Sequence, residues 1–256
     1  MFYNDLYNAG IDSNNIADKP LIINTCLTGI VAGKTDNPNI PISTSEIIED
    51  ACRVIEAGAN MLHIHARDQD GKAAWQPDIY EKIISSIRKY HHDVILVATT
   101  SGRAGSDFEH RSAVLNLDGS AKPDMASLTL GSMNFPTGAS VNAPSTVLKL
   151  LERMYQMGIK PELEVFDMGI LNYAFYLTRK KIIKEPCFVN ILLGSLGTSP
   201  ARLQELGMLT REIPASWTWA AAGIGRFQLA TNVAAMIAGG HVRVGLEDAI
   251  YMDTNK

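Results

Sequence analysis

Cysteine is scarce in this chain of 256 residues: there are three, Cys26, Cys52 and Cys187, far apart and with no C-x-x-C pair. An odd number without framework spacing argues against a disulfide scaffold and for reduced thiols in a cytoplasmic protein. Long hydrophobic runs are missing as well. No stretch approaches the ~18 uninterrupted apolar residues of a membrane span, and Met1-Phe2-Tyr3-Asn4-Asp5 has neither a basic start nor an apolar core of signal-peptide length. The chain therefore reads as neither exported nor membrane-spanning. Neither sign of charge dominates: 23 basic residues stand against 27 acidic ones, which gives no long-range pull toward nucleic acid or an anionic membrane. No linker or low-complexity tract divides the sequence.

What is present is a repeating unit, a short apolar run followed by an amphipathic segment, as in successive βα units. The predicted strands are Leu21–Leu27, Asn60–His65, Val94–Thr99, Met125–Leu130, Glu162–Phe166, Cys187–Leu192, Trp217–Ala221 and His241–Glu247. Between them lie predicted helices. One opens at Ser43 with Glu46 three residues on, a capping-box spacing, and one starts at Pro77; the others are Phe108–Leu117, Ala143–Met157, Ile170–Ile183, Ala201–Leu206 and Phe227–Ala238. Alternation of this kind, at this length, suits an α/β fold closed as a (β/α)8 TIM barrel better than an open doubly wound sheet. Residues 1–19 are read as an N-terminal extension and 20–256 as one barrel domain. The chain ends soon after the last predicted strand, so the eighth helix is expected to come from a partner subunit, to be replaced by the N-terminal segment, or to be absent.

Two segments carry chemistry. Side chains two apart on a strand share a face, so His63 and His65 point one way, as do Arg243 and Glu247. Strand eight neighbours strand one, which neighbours strand two, and catalytic groups of such barrels sit at the C-terminal ends of strands. The two imidazoles and the Glu247 carboxylate are thus expected to meet at one rim. That is a three-ligand zinc set with a fourth position left for substrate or water. Thr99-Thr100-Ser101-Gly102-Arg103 offers hydroxyls and a flexible glycine after strand three, Glu162 and Glu164 share a face of strand five, and Asn190 sits on strand six. Gly223-Ile224-Gly225-Arg226 precedes a helix, where amides, the helix dipole and an arginine could hold an anion. Each of these signals has a bland reading: a core histidine, a tight turn, a solvated pair of glutamates. Trp217 and Trp219 read as packing before they read as an acyl or CoA pocket.

Together, Leu62-His63-Ile64-His65-Ala66-Arg67, Ser101-Gly102, Lys160-Pro161-Glu162-Leu163-Glu164-Val165-Phe166-Asp167, Ala222-Gly223-Ile224-Gly225-Arg226 and Gly239-Gly240-His241-Val242-Arg243-Val244-Gly245-Leu246-Glu247-Asp248 resemble the β-keto acid cleavage enzyme family over about residues 20–252. The resemblance implies a zinc-dependent barrel, oligomeric and tetrameric. Its members condense a β-keto acid with acetyl-CoA and split the adduct into acetoacetate and a new acyl-CoA. It assigns His63, His65 and Glu247 to Zn2+, Asp248 to the base, Arg243 to the base's partner and Glu162 to the strand-five catalytic glutamate. Thr100 or Ser101 falls on a rim hydroxyl and Ser127 on a second; Gly102, Asn190 and Arg226 are grouped with Ser127 as substrate- or CoA-binding. Members that handle an amino-substituted keto acid carry an acid where this chain has Val31, so a substrate tail without positive charge is expected.

Two other readings compete. A metal-dependent hydrolase on the same barrel also uses a His-x-His pair, but it needs further ligands from middle strands, and no histidine lies between His110 and His241. A metal-binding barrel without catalysis is the other, and the missing eighth helix is its support.

Overall fold

The computed structural model describes residues 20–103, 107–136 and 138–252. Eight parallel strands close into a barrel: β1 (Ile23–Cys26), β2 (Met61–Ile64), β3 (Ile95–Ala98), β4 (Met125–Thr129), β5 (Lys160–Val165), β6 (Phe188–Leu193), β7 (Thr218–Gly223) and β8 (His241–Val244). Each pairs with its sequence neighbours, and β8 closes on β1 with Asn24 opposite Arg243. Among the described residues seven α-helices surround the strands: α1 (Thr44–Glu56), α2 (Pro77–Tyr90), α3 (Phe108–Ser112), α4 (Pro144–Gln156), α5 (Met168–Arg179), α6 (Leu203–Glu212) and α7 (Gln228–Ile237). The fold is the TIM barrel that the alternation predicts. The N-terminal extension and the question of an eighth helix fall on residues 1–19 and 253–256, outside the described residues.

Local chemistry starts the helices where it should. Ser43 and Glu46 form the predicted capping box: Ser43 Oγ accepts from the Glu46 amide at 3.2 Å, and Glu46 Oε2 accepts from the Ser43 amide at 2.9 Å. Pro77 and Pro144 occupy first-turn positions, where a missing N–H costs nothing. Outward-facing strand residues such as Leu62, Ile64, Leu96, Leu128, Leu163, Val189 and Ile191 are buried against the helices in one continuous core. Inward, Met61, Val97 and Met125 form a second cluster that plugs the barrel's N-terminal end, with Ile22 and Phe188 packed on it.

Three differences from the sequence expectation bear on the site. First, β8 ends at Val244, and Glu247 stands in the turn beyond it rather than on a strand face shared with Arg243. Gly245 causes this: its φ is +153°, and a Cβ there would lie 2.0 Å from the Cys26 carbonyl oxygen, so only glycine lets the chain leave the sheet so close to β1. Second, two short antiparallel ribbons, Ala66–Arg67 with Ala73–Ala74 and Met133–Phe135 with Gly138–Ser140, lie in the loops after β2 and β4. They are too short for periodicity to reveal. Third, α3 stops at Ser112 and continues as a 3-10 turn, Ala113–Asn116, and α6 runs to Glu212, well past the predicted Leu206.

Candidate metal centre and active site

At the C-terminal end of the barrel, His63 and His65 project inward from the end of β2. Glu247 folds over them from the turn after β8. The β1 loop packs directly on that turn. Gly29, at φ +56°, leaves no room for a side chain, since a Cβ would lie 2.6 Å from Glu247 Cγ. His65 Nε2 is 3.3 Å and His63 Nε2 4.0 Å from Glu247 Oε1. The donor atoms of the three residues lie within 4.8 Å of one another.

Zinc with nitrogen and oxygen ligands at about 2.0–2.2 Å, held tetrahedrally, separates its ligands by roughly 3.3–3.6 Å. The triad fits a divalent cation of that kind. Glu247 Oε2, a buried atom of the triad without a hydrogen-bond partner, is available to a cation; His65 Nδ1 is also unpartnered, although it is Nε2 of that ring that faces Glu247.

His63 is oriented from behind. Its Nδ1 lies 2.9 Å from Glu162 Oε2, and Glu162 Oε1 accepts from Asn24 Nδ2 at 2.9 Å and Asn190 Nδ2 at 3.1 Å. Burial alone would raise the pKa of Glu162, but the charges of His63 and Arg243, with the His63 and Asn24 hydrogen bonds, bring it below the ordinary carboxylate value. An ionised Glu162 fixes a proton of His63 on Nδ1, so that Nε2, the atom facing Glu247, is the one that would take a metal once the ring is neutral, the carboxylate–histidine arrangement common behind metal ligands. His63, Glu162 and Glu164 also group as donors. That group is already joined by the His63–Glu162 hydrogen bond, so we treat it as the support of the first.

Arg243, 1% exposed, joins the acidic groups together. Its Nε donates to Asp248 Oδ2 at 2.7 Å and its Nη2 to Glu247 Oε1 at 2.8 Å, while Nη1 lies 3.8 Å from Glu164 Oε1. Burial acts to lower its pKa, but Asp248 and Glu247 drive it well above the usual value. Glu247 is held well below the carboxylate range: burial is outweighed by His65, Arg243 and His63. Asp248 accepts a further hydrogen bond from the Cys26 thiol at 3.1 Å. Burial first, and then the Asp248 charge, raises the pKa of Cys26, which therefore stays a thiol and a donor.

These groups line a cavity of about 530 Å³. His63, His65, Glu247, Asp248, Arg243, Glu164, Ser101 and Arg103 supply its polar wall; Ile30, Val31, Phe135, Phe166, Leu192 and Leu196 supply much of the rest. Arg67 fixes the Ile30–Val31 wall by donating to the carbonyls of Thr28 at 2.9 Å and Ala32 at 2.7 Å.

Of the sequence candidates, His63, His65, Glu247, Asp248, Arg243 and Ser101 meet at this cavity. Others do not. Glu162 and Asn190 are fully buried beneath it. Thr100 and Ser127 satisfy each other: Thr100 Oγ1 donates to the Ser127 carbonyl at 2.6 Å, and the Thr100 amide to Ser127 Oγ at 3.1 Å. Gly102 packs against Arg111 instead of lining the cavity. Arg226 is exposed and stacks over Phe227, and the amides expected to cradle an anion there are engaged, Ile224 N with the Leu193 carbonyl and Gly225 N with that of Asp248. Trp217 is a packing residue, its Nε1 donating to Glu185. Trp219 lines a groove with Pro20 and His241, at the N-terminal end of the strands.

Two participants had no sequence assignment of their own. Cys26 gave no signal beyond its inward register on β1. Glu164 shared a face with Glu162, which was signal enough for direction but not for depth. Glu164, 9% exposed, lines the cavity, accepts from Thr129 Oγ1 at 2.5 Å, and has its pKa raised chiefly by burial.

Comparison with known proteins identifies the family. A family model described as beta-keto acid cleavage enzyme matches residues 20–256. A 3-oxoadipate:acetyl-CoA acetyltransferase of Cupriavidus necator is 35% identical over 238 residues, covering 92% of this chain and 82% of that protein. A 3-keto-5-aminohexanoate cleavage enzyme of Fusobacterium nucleatum is 34% identical over 234 residues, covering 91% and 84%. Among solved structures, apo ObcA superposes with a TM-score of 0.73 at 21% identity; the match covers 83% of this chain and spans 56% of ObcA, and it speaks to the fold alone. With the family model matched from the first described residue to the C-terminus and relatives above 30% identity along most of their length, the chain belongs to the beta-keto acid cleavage enzyme family.

Proposed function

We propose that the protein is a zinc-dependent β-keto acid:acetyl-CoA acyltransferase that converts a β-keto acid and acetyl-CoA into acetoacetate and a new acyl-CoA. One observation carries this reading: a carboxylate positioned as a base, Asp248, opens into the same cavity as a His₂Glu donor set. The names of the relatives support it, since several describe transfer involving acetyl-CoA and a keto acid. Zinc held by His63, His65 and Glu247 would supply Lewis-acid polarisation of a carbonyl, which favours loss of a neighbouring proton near neutral pH.

The protein's own groups account for the rest. Asp248 removes a proton from the carbon between the ketone and the carboxylate, and Arg243 and Cys26 keep its carboxylate aimed while leaving it open to the cavity. The carbanion attacks the thioester carbonyl of acetyl-CoA, forming a carbon–carbon bond as the carbon–sulfur bond breaks. The released thiolate then adds to the original ketone carbon, and the bond between that carbon and the former carbanion breaks. Reprotonation of the leaving carbon gives acetoacetate. The Ser101 hydroxyl, on the cavity wall, serves developing oxyanions. Glu164, rather than Glu162, which the resemblance assigns as the strand-five catalytic glutamate, carries the proton: it lines the cavity and has the higher proton affinity of the pair. Glu162 is a positioning residue, acting through His63.

The test is mass spectrometry of products from a panel of β-keto acids with acetyl-CoA, run beside metal analysis of wild type and Asp248→Asn. Acetoacetate and a matching acyl-CoA are expected from wild type. Turnover should fall by ~10³-fold or more in D248N with metal content retained, as for loss of an essential base. Free acetate without acyl-CoA, or near-normal turnover by D248N, would overturn the reading.

A further inference from the structure

We propose that Arg103 receives a second anionic group of the substrate, a carboxylate at the far end of the β-keto acid, so that the favoured substrates are β-keto dicarboxylates. This rests on the function proposed above and names the substrate class for it. Arg103 lines the same cavity as His63, His65, Glu247 and Asp248, and its guanidinium carbon lies 4.6 Å from the centroid of the Phe135 ring, which braces it against one wall. The neighbouring arginines are already engaged. Arg243 holds Glu247 and Asp248, Arg67 holds backbone carbonyls, and Arg111 donates to the Thr100 carbonyl and to Asn142 Oδ1. Among the described residues Arg103 has no carboxylate partner; its backbone amide reaches Ser101 Oγ, and its guanidinium has only the Phe135 ring.

A guanidinium at the exposed rim of the cavity, without a counter-ion, is an incomplete recognition element. Desolvation by the walls lowers its pKa, and the only acidic charge offsetting this is that of Glu247, at the reaction centre. No cavity-lining acid is left to pair with it, because Glu164, Glu247 and Asp248 all face Arg243. An incoming carboxylate completes the pair, and the planar guanidinium fork matches its two oxygens. The apolar side chains Ile30, Val31, Phe166 and Leu192 suit the methylene chain that joins such a carboxylate to the reacting head. Coenzyme A also carries anionic oxygens, but its phosphates lie at the far end of the long pantetheine arm from the thioester. A cation that shares the cavity of the reacting groups is better placed for the keto acid.

Two substrates of equal length separate these sources: an unbranched β-keto dicarboxylate, and its analogue with a terminal methyl in place of the far carboxylate. Arg103→Gln is expected to raise KM for the dicarboxylate roughly ten- to a hundred-fold, the worth of a charge-assisted pair. It should leave kcat, the KM for acetyl-CoA and the constants for the methyl-ended substrate unchanged. Arg103→Lys, which keeps the charge but not the fork, should fall between. Equal losses on both keto acids, or a raised KM for acetyl-CoA, would overturn the proposal, the latter by assigning Arg103 to the coenzyme's phosphates.

Calorimetric titration of the metal-loaded protein with adipate and with hexanoate gives a readout that needs no turnover. Adipate should bind more tightly than hexanoate to wild type but not to R103Q, and equal binding to wild type would sink the anion site. A protein that turns over no β-keto acid yet retains this Arg103-dependent preference would refute the proposed function, and with it the substrate class, while leaving Arg103 as a carboxylate-binding site.

Discussion

The two ends of the barrel's interior are built from the same strands and have opposite chemistry. On β2, Met61 belongs to the apolar plug and His63, two residues on, to the His63–His65–Glu247 triad; on β4, Met125 is followed by Ser127; on β6, Phe188 packs on the plug and Asn190 donates to Glu162. One step of the strand period carries each strand from a floor that only fills space to a layer in which Glu162 joins His63, Asn24 and Asn190, and Arg243 joins Glu247 and Asp248. The outer faces of those strands show no such change: they stay apolar along their length. The contrast teaches that the floor serves stability, while the buried polar layer is tolerated because each charge has a partner.

The sharpest way to break the contrast is Arg243→Met. It preserves volume but leaves Glu164, Glu247 and Asp248 facing one another without a cation. A loss of ~3–5 kcal/mol in unfolding free energy is expected, as for a buried pair missing one partner, together with loss of turnover. Denaturant titration checks it, and an unchanged midpoint would mean that Arg243 is dispensable to the layer.

At the floor, Met125→Ala should cost ~2–5 kcal/mol through the cavity it leaves. Its metal content and kcat should match wild type wherever it remains folded, because no polar contact reaches Met125. Calorimetric unfolding with metal analysis tests this, and a joint fall in stability and metal content would merge the two regions into one.

The smallest effect on the fold is expected from Glu162→Gln. The glutamine carbonyl can still accept from Asn24 and Asn190, but its amide would donate to His63 Nδ1 and move the ring proton to Nε2, where a metal would bind. Metal affinity should fall roughly ten- to a hundred-fold with little change in unfolding midpoint. Competition against a chelator measures it, and undiminished affinity would remove Glu162 from the support of the site.

Much of this was legible in the sequence, and what escaped has a physical reason. The eight apolar runs and the Ser43–Glu46 box mark elements by local rules, and the His-x-His spacing places both imidazoles on one face. A period of two gives direction but not height, so Glu162 and Glu164 looked equivalent although one lies below the cavity and the other on its wall. A continuing strand would place Glu247 beside Arg243 as a ligand candidate; its actual position depends on Gly245 meeting the Cys26 carbonyl, a tertiary contact. The Gly223–Arg226 segment misled for a related reason: whether an amide is free for an anion depends on which carbonyls the fold brings to it, and here Leu193 and Asp248 take two. The hydrogen bond from Cys26 to Asp248 joins residues from opposite ends of the chain, which no local pattern announces.

If Asp248 and the His63, His65 and Glu247 centre act together on a carbon–carbon bond, acetyl-CoA labelled with carbon-13 in both acetyl carbons delivers the whole label to acetoacetate and none to the acyl group of the new CoA thioester. Mass spectrometry of the products reads this out, and label in free acetate or in the new acyl-CoA would rule that chemistry out.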